Sequence, residues 1–272
     1  MGVVNVTPDS FSDGGRYLDP DAAIAHGHRL AGEGAAILDV GGESTRPGAD
    51  PVGVDEELAR VVPVIEGLAG SGARVSVDTM KLEVARAGLA AGAGYVNDVS
   101  AFRHDPGMAA LVAESGAECC LMHMLGEPRT MQQAPRYDDV VDDVRAFLEQ
   151  RLAFAVAEGV PEERVHLDPG IGFGKTIEHN LALLRGLPEL ATLGRPLVVG
   201  VSRKSFLGRI TGREAGDRVA ATVAANVLAF ERGARILRVH DVAAVADGLA
   251  VAAATLAAPW RETTTSPNTT TI

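Results

Sequence analysis

Eight short apolar runs, each followed by a segment with helical spacing, constrain the fold of this chain more than any other feature. The runs carry a polar or charged residue at or near their ends and cover residues 2–6, 36–40, 75–78, 95–98, 119–123, 165–168, 197–204 and 236–240. Strands that alternate with helices predict a parallel sheet with crossover helices. Eight such units in 272 residues predict a single (β/α)8 TIM barrel of the α/β class. Because the active site of that fold lies at the C-terminal ends of the strands, the polar run ends mark the candidate site.

The helices between these runs are predicted over residues 55–69, 81–91, 106–114, 138–158, 178–185, 216–232 and 242–257. A first helix is predicted to begin at Pro20, with Asp19 as its capping residue. A further helical turn is expected to begin at Ser205. Three strand-to-helix connections are long, at residues 7–18, 41–54 and 124–137, which is typical of substrate loops.

The composition indicates one acidic domain. We expect a barrel over residues 1–260, because no Ser- or Pro-rich stretch interrupts the alternation. Residues 261–272 are Thr-rich and lack periodicity, so a disordered tail is predicted there. The net charge of −11 argues against a nucleic-acid partner. The same charge repels an anionic substrate, which must therefore be held by a local group of cations or by a metal ion.

The two cysteines, Cys119 and Cys120, are adjacent within one apolar run. Neighbouring residues of a strand point to opposite faces, so we expect buried free thiols rather than a disulfide between them. Free thiols suit a reducing compartment, which favours a cytoplasmic location. The chain shows neither a signal peptide nor an apolar run of about 20 residues, so we expect a soluble protein that does not bind a membrane.

The polar groups at the run ends differ in kind but are expected to face one rim of the barrel. They are Asn5, Asp78, Asn97, Asp98, His123, Asp168, Lys204, Arg238 and His240. Lys204 ends an almost purely apolar run, where it either contacts an anionic or hydrogen-bonding ligand or acts as a Schiff-base nucleophile. Side-chain alternation along that run places Ser202 and Lys204 on one face. Arg238 and His240 on the last strand, opposite Asn5 on the first, predict a site for a diphosphate.

Several motifs in order along the chain are similar to those of a known family. They cover residues 1–15, 39–48, 77–79, 97–100, 122–124, 168–176, 202–208 and 238–242. On these motifs the chain resembles the bacterial dihydropteroate synthases, the pterin-binding sulfonamide targets of folate biosynthesis. The resemblance runs from Met1 to about Ala258 and implies a transferase. The implied reaction joins 6-hydroxymethyl-7,8-dihydropterin diphosphate to 4-aminobenzoate, with release of 7,8-dihydropteroate and diphosphate.

The resemblance also implies roles for individual residues and a Mg²⁺ cofactor. Asp78, Lys204, Arg238 and His240 are the implied catalytic residues, and Asn5 the implied contact of the Mg²⁺ ion. The implied pterin site consists of Asp78, Asn97, Asp168, Lys204 and Arg238. The implied diphosphate site consists of Asn5, Arg238 and His240. The implied aminobenzoate site consists of Thr45, Arg46, Pro47, Phe173 and Ser205, and a mobile closing loop carries Phe11 and Asp13. Since the implied mechanism ionises a C–O bond before the arylamine attacks, it needs no Schiff base, and Lys204 is interpreted as a hydrogen-bonding cation. His123 receives no catalytic role and is expected to shape the floor of the pocket.

Two other functions remain open at this point. One is a corrinoid-linked methyltetrahydrofolate methyltransferase, which has no diphosphate to bind and so does not explain Arg238 and His240. The other is a non-catalytic homologue that only binds pterin. Members of the resembled family usually carry a short segment before the one that begins here at Met1, and we expect the stability of the barrel, rather than its site, to depend on it.

The last two predicted helices are nearly free of charge on every face. Residues 219–230 contain no charged residue, and residues 242–258 contain only Asp247. An outer barrel helix normally shows a polar face to solvent. We therefore expect these helices to meet a second copy of the chain in a homodimer.

Overall fold

The computed structural model describes residues 1–7, 19–46 and 48–257, and within them the chain forms eight strands. The strands are β1 (Gly2–Asn5), β2 (Ile37–Gly41), β3 (Arg74–Asp78), β4 (Tyr95–Asp98), β5 (Glu118–Met122), β6 (Val165–Asp168), β7 (Leu197–Val199) and β8 (Ala234–Leu237). All neighbouring pairs are parallel, and their order in the sheet follows the order in the chain. The predicted α/β fold with a single parallel sheet is confirmed.

The described helices follow the strands as predicted. They are α1 (Pro20–Gly32), α2 (Val54–Leu68), α3 (Leu82–Ala90), α4 (Met108–Ser115), α5 (Val140–Ala157), α6 (Ile177–Arg185), α7 (Leu187–Ala191), α8 (Ser205–Thr211), α9 (Val219–Glu231) and α10 (Val242–Ala257). Asp19 caps α1 by accepting from the backbone N–H of Asp21, and Pro20 occupies its first turn. The short α7 was not predicted, and the expected turn at Ser205 is a complete helix of seven residues.

The two outermost strands of the sheet approach each other. Gly2 in β1 forms a parallel bridge with Val239, which follows β8. The backbone N–H of Val3 donates to the carbonyl oxygen of Val239 over 3.0 Å, and the N–H of Val239 donates to the carbonyl oxygen of Met1 over 2.9 Å. The sheet is therefore strongly curled, as in TIM-like folds.

The two faces of the curled sheet have separate cores. The larger core lies between the strands and the helices and includes Cys119. A smaller cluster joins Ile37, Tyr95, Cys120 and Val198 from four different strands. The adjacent cysteines thus belong to different clusters, and both are buried free thiols, as predicted.

Two predicted strands are too long. The seventh was predicted over residues 197–204, but β7 ends at Val199 and Arg203 has a left-handed φ of 57°. Ser202 and Lys204 therefore lie in a turn, where the N–H of Lys204 donates to the carbonyl oxygen of Val201, and strand alternation does not place them on one face. The eighth was predicted over residues 236–240, but β8 ends at Leu237, so Arg238 and His240 follow the strand.

Three predictions lie outside the described residues: the closing loop with Phe11 and Asp13, the aminobenzoate contact Pro47, and the tail at residues 261–272. No helix in the described part of the chain is long and apolar enough to cross a membrane.

Candidate functional site

The small cluster of the curled sheet leads directly to the candidate site. Side chains two residues apart on a strand point to the same face. Asp39 follows Ile37 at this spacing, and Asn97 follows Tyr95. The apolar floor of the sheet is thus continued, toward the carboxyl ends of the strands, by a polar layer.

Arg238 holds this polar layer together. Its Nε donates to Oδ2 of Asp39 over 2.6 Å, and its Nη2 donates to Oδ2 of Asp78 over 2.7 Å. The guanidinium is a quarter exposed, whereas Asp39 is fully buried. Nδ2 of Asn97 also donates to Oδ2 of Asp39, over 3.0 Å. Three of the predicted site residues therefore meet around one buried carboxylate.

Two carboxyl groups of this layer compete for the one cation, Arg238. Burial, and then the neighbouring Asp39, raise the pKa of Asp78 to about 8, although Arg238 opposes the shift. Burial alone would lower the pKa of Arg238, but Asp39 and Asp78 more than compensate and raise it. At pH 7 the carboxyl group of Asp78 is therefore mostly protonated, and Asp39 and Arg238 form the ion pair of this group.

Lys204 and Asp168 form the second half of the polar layer. The N–H of Gly170 donates to Oδ1 of Asp168 over 2.7 Å, and burial raises the pKa of that carboxyl although Lys204 opposes the shift. Nζ of Lys204 donates to the carbonyl oxygen of Ile171 and lies 4.7 Å from the ring centre of Phe173. Burial lowers the pKa of Lys204 to about 8, with Asp168 acting against the shift.

The two halves adjoin at Gly200, which follows β7. A Cβ atom on Gly200 would lie 3.8 Å from Nζ of Lys204 and 3.8 Å from Cβ of Arg238. Because Gly200 has no side chain, Lys204 and Arg238 can both lie beside it, in the same part of the layer. The predicted pterin residues Asp78, Asn97, Asp168, Lys204 and Arg238 are therefore brought together.

His240 lies next to this layer, on the segment after β8. Its Nδ1 and the Oγ of Ser202 are 3.1 Å apart, and its backbone N–H donates to the same Oγ over 3.1 Å. Burial, and then the nearby Arg238 and Arg203, lower the pKa of His240 to about 3. The ring is therefore neutral at pH 7, so it contributes hydrogen bonds rather than a positive charge. Asn5, half-buried, ends β1.

The segment with Thr45 and Arg46 lies in the connection between β2 and α2. Just before it, Glu43 accepts a hydrogen bond from Nζ of Lys81, which also donates to the buried Glu57 of α2. Thr45 and Asp78 line the same small cavity of about 10 Å³. The connection is thus fixed beside the polar layer. Ser205, the remaining predicted aminobenzoate contact, is exposed at the start of α8.

His123, which the sequence left without a role, lies behind the layer. Nζ of the buried Lys175 lies 2.9 Å from Nδ1 of His123 and donates to the carbonyl oxygen of Phe173 over 2.9 Å. Burial, and then Lys175 and Arg103, lower the pKa of His123 to about 3. Burial also lowers the pKa of Lys175 well below its usual range. The pair joins the end of β5 to the loop after β6 and supports the expectation that His123 shapes the pocket.

Sequence reasoning missed three features of the site. Asp39 received no role, although a charged residue within a wholly buried strand must have partners and is detectable on that ground. Lys175 also received no role, although a buried lysine likewise must have partners. The third feature is an apolar wall whose buried members are Val99, Met122, Met124 and Met131, with Met80 and Phe173 packed against them.

A larger open cavity of about 550 Å³, between the β5–α5 connection and α6, contains none of the predicted site residues.

Comparison with known proteins identifies the family. The family model for pterin binding enzymes matches residues 1–240. The dihydropteroate synthase of Mycobacterium leprae is 51% identical over 263 residues, which cover 94% of this chain and 93% of the relative.

Two solved structures agree with this match. The dihydropteroate synthase of Yersinia pestis, solved with a sulfonamide drug complex, has a TM-score of 0.92 and 44% identity, and covers 95% of this chain and 94% of its own. The dihydropteroate synthase of Xanthomonas albilineans, solved with 4-aminobenzoic acid, has a TM-score of 0.89 and 54% identity, and the match covers 95% of this chain and 93% of its own. This chain therefore belongs to the pterin-binding enzyme family, among the dihydropteroate synthases.

Proposed function

We propose that this chain condenses 6-hydroxymethyl-7,8-dihydropterin diphosphate with 4-aminobenzoate to give 7,8-dihydropteroate and diphosphate. The observation that carries the proposal is the polar layer at the strand ends, where Arg238 bonds to Asp39 and Asp78 close to Lys204. Such a layer offers acceptors for a donor-rich heterocycle and cations for a leaving diphosphate. The names of the relatives and their 4-aminobenzoic acid and sulfonamide complexes support the same reaction.

We propose further that the curled sheet is a complete (β/α)8 barrel. The hydrogen bonds between β1 and Val239 support this architecture, because a closed barrel has no free edge. Its active site then lies at the carboxyl ends of the strands, where Asp39, Asp78, Asn97 and Asp168 are found.

The pterin is assigned to the buried part of the layer. A pterin carries amide and amino N–H donors beside a carbonyl acceptor, and the carboxylates of Asp78 and Asp168 can accept from the donors. Lys204 and Asn97 can donate to the carbonyl and ring nitrogens. Asn97 and Asp168 are buried and Asp78 and Lys204 are partly buried, which strengthens each hydrogen bond and increases the cost of a mismatched ring. The methionine-rich wall offers an apolar surface to the face of the ring.

The diphosphate is assigned to Asn5, Arg238 and His240. Nη1 of Arg238 takes no part in the bonds to Asp39 and Asp78, and the neutral ring of His240 can donate an N–H. No group of three or more His, Cys, Asp or Glu side chains suited to a metal ion is found in the described ranges. This fits Mg²⁺, which is usually held by one or two protein oxygens together with substrate phosphates, and the half-buried amide of Asn5 can supply one such oxygen. When bound, the ion would neutralise charge on the leaving diphosphate.

4-Aminobenzoate is assigned to the outer part of the site. Thr45 lines a small cavity together with Asp78, Arg46 follows it in the chain, and Phe173 lies beneath Lys204. Ser205 is exposed at the start of α8. Pro47, Phe11 and Asp13 are proposed to complete this part from residues outside the described ranges.

The chemical step needs no protein nucleophile. The bond between the exocyclic methylene carbon and the diphosphate oxygen breaks, and Arg238 and His240 stabilise the departing anion by hydrogen bonds. Asp78 stabilises the cationic pterin that remains, because a carboxyl group with a pKa of about 8 ionises readily when a positive charge develops beside it. The lone pair of the 4-aminobenzoate amine then forms the new C–N bond, and the proton lost from this nitrogen passes to solvent. Lys204 acts as a hydrogen-bond donor to the pterin.

A coupled diphosphate-release assay tests the function. We expect release that depends on both 4-aminobenzoate and Mg²⁺. Release without 4-aminobenzoate, or pterin binding without any release, would point to a non-catalytic or hydrolytic homologue. Methyl transfer from methyltetrahydrofolate to a corrinoid would support the alternative methyltransferase.

A cytoplasmic homodimer is the proposed state of the enzyme. α9 and α10 pack on each other and leave three large apolar side chains exposed: Leu228, Val251 and Leu256. Exposed apolar groups on neighbouring helices suit a contact with a second copy. The buried free thiols suit the reducing conditions of the cytoplasm.

A further inference from the structure

Asp39 is a charged residue in a strand whose five residues are all buried. Its side chain is fully excluded from solvent, so it does not touch a ligand in the open part of the site. An ionised carboxylate at such a position destabilises the fold unless it is paired and hydrogen-bonded. The hydrogen-bond partners of Asp39 therefore indicate its role.

Each oxygen of Asp39 has a defined partner set. Oδ1 accepts from the hydroxyl of Ser76 over 2.6 Å. Oδ2 accepts from Nε of Arg238 over 2.6 Å and from Nδ2 of Asn97 over 3.0 Å. Two of the three partners are thus residues assigned above to the substrates: Asn97 lies in β4, and Arg238 directly follows β8.

The bond to Arg238 fixes the direction of the guanidinium. Asp39 holds Nε and Asp78 holds Nη2, so one edge of the planar group is occupied by two carboxylates. Arg238 is only a quarter exposed, and a long arginine side chain loses much rotational freedom when it is fixed. Because Asp39 and Asp78 order the guanidinium of Arg238 before the substrate arrives, the entropy lost in ordering it does not weaken the binding of the diphosphate.

The bond to Asn97 fixes the orientation of an amide. Since a carboxylate only accepts hydrogen bonds, the amide must turn its NH₂ group toward Asp39. The carbonyl oxygen of Asn97 then faces away from Asp39. Asp39 thereby decides whether Asn97 presents an acceptor or a donor in that direction.

We propose that Asp39 is a positioning residue that orients Arg238 and Asn97 for the pterin diphosphate, a role that rests on the proposed function. It acts through these two side chains and not by contact with the substrate.

The substitution Asp39→Asn separates charge from shape. An asparagine can keep its oxygen toward Arg238 and Asn97 and turn its NH₂ toward the hydroxyl of Ser76, which can accept. What is lost is the charge that strengthens the bond to Arg238, since charge-assisted hydrogen bonds are about twice as strong as neutral ones. We expect kcat/KM for the pterin diphosphate, per folded molecule, to fall about fivefold, while KM for 4-aminobenzoate changes less than about twofold.

A double-mutant cycle shows whether the effect passes through Arg238. Arg238→Ala alone is expected to lower kcat/KM at least about tenfold, and Asp39→Asn in that background to lower it by less than about twofold more. The matched control is Ser76→Ala, which removes one bond to Asp39 but keeps its charge, and should leave kcat/KM within about twofold of the unaltered chain.

Three results would overturn the positioning role: normal kcat/KM in Asp39→Asn, an equal loss with and without Arg238, or an equal loss in Ser76→Ala. A purely structural aspartate would lower the melting temperature without this pattern in kcat/KM. Absence of turnover in the unaltered chain would instead overturn the proposed function, so the two failures are distinguishable.

Discussion

A Cβ atom on Gly170 would lie 1.8 Å from the carbonyl oxygen of His123, and Gly170 itself has a φ of +65°. The loop after β6 therefore passes directly against the end of β5. The same loop carries the Asp168 contact and the Lys204 acceptor Ile171. Its path, and so the geometry of the pterin end of the site, depends on a residue without a side chain.

We expect Gly170→Ala to disrupt both stability and activity. A methyl group cannot coexist with a backbone oxygen at that distance, so the loop must move, and Asp168 with it. The matched control is Gly194→Ala, at a similar φ of +74° but with no atom within 4 Å of the added carbon. The control should lose only the cost of a left-handed conformation, about 1–2 kcal/mol. Urea unfolding and kcat/KM measure the difference, and equal losses in the two variants would contradict this reading.

The pH dependence of stability should report on His123. Its pKa falls from 6.5 to about 3 on folding, so between these values the unfolded chain binds a proton that the folded chain does not. Stability from this group is therefore present above pH 6.5 and lost as the pH falls toward 3.

The substitution His123→Asn isolates that contribution. Asparagine offers an oxygen to Lys175 in place of Nδ1 and does not titrate. The unfolding free energy of the unaltered chain should drop relative to the variant by about 2 kcal/mol between pH 7 and pH 5. Urea unfolding of both proteins at the two pH values measures this drop, provided that the dependence of the unfolding free energy on urea concentration is the same in each case. An equal change of the unfolding free energy in the two proteins would refute the contribution of His123.

Glu43 should affect one substrate and not the other. It ties the connection that carries Thr45 and Arg46 to Lys81, while the bond from Lys81 to the buried Glu57 remains in Glu43→Ala. We expect KM for 4-aminobenzoate to rise about tenfold, with KM for the pterin diphosphate unchanged within about threefold.

The control for this experiment is Glu56→Ala. Glu56 lies on the same helix as Glu57, but its side chain is 60% exposed, and an ion pair with such an exposed carboxylate contributes little, although its partner Arg60 is mostly buried. Neither KM should change. A rise in both KM values after Glu43→Ala would show that the connection supports the whole site rather than the aminobenzoate end.

The oligomeric state follows from the exposed apolar surface of α9 and α10. Sedimentation equilibrium at micromolar concentration should give a dimer, and Val251→Glu should convert it to a monomer. Val251 is 68% exposed, so a charge there is harmless to a monomer but costly in an apolar interface. Val156→Glu on α5, at 41% exposed, is the control and should remain dimeric. A monomeric unaltered chain would rule out the dimer.

The sequence by itself predicted the eight strands and all of the described helices except the short α7. Hydrophobic periodicity located every strand within a few residues, and Asp19 with Pro20 located the start of α1, because these signals come from neighbours in the chain. It placed the end of β7 too late because an apolar run does not reveal the left-handed turn at Arg203.

Only the tertiary structure decided which of these residues act together. Asp39 and Arg238 are separated by 199 positions, and nothing local to either predicts a bond of 2.6 Å between them. The same holds for Lys175 and His123, and for the approach of Gly170 to the backbone after β5. Periodicity specifies which face of a strand a side chain occupies, whereas its partners depend on how the curled sheet brings distant strand ends together and on which buried charges must be paired there.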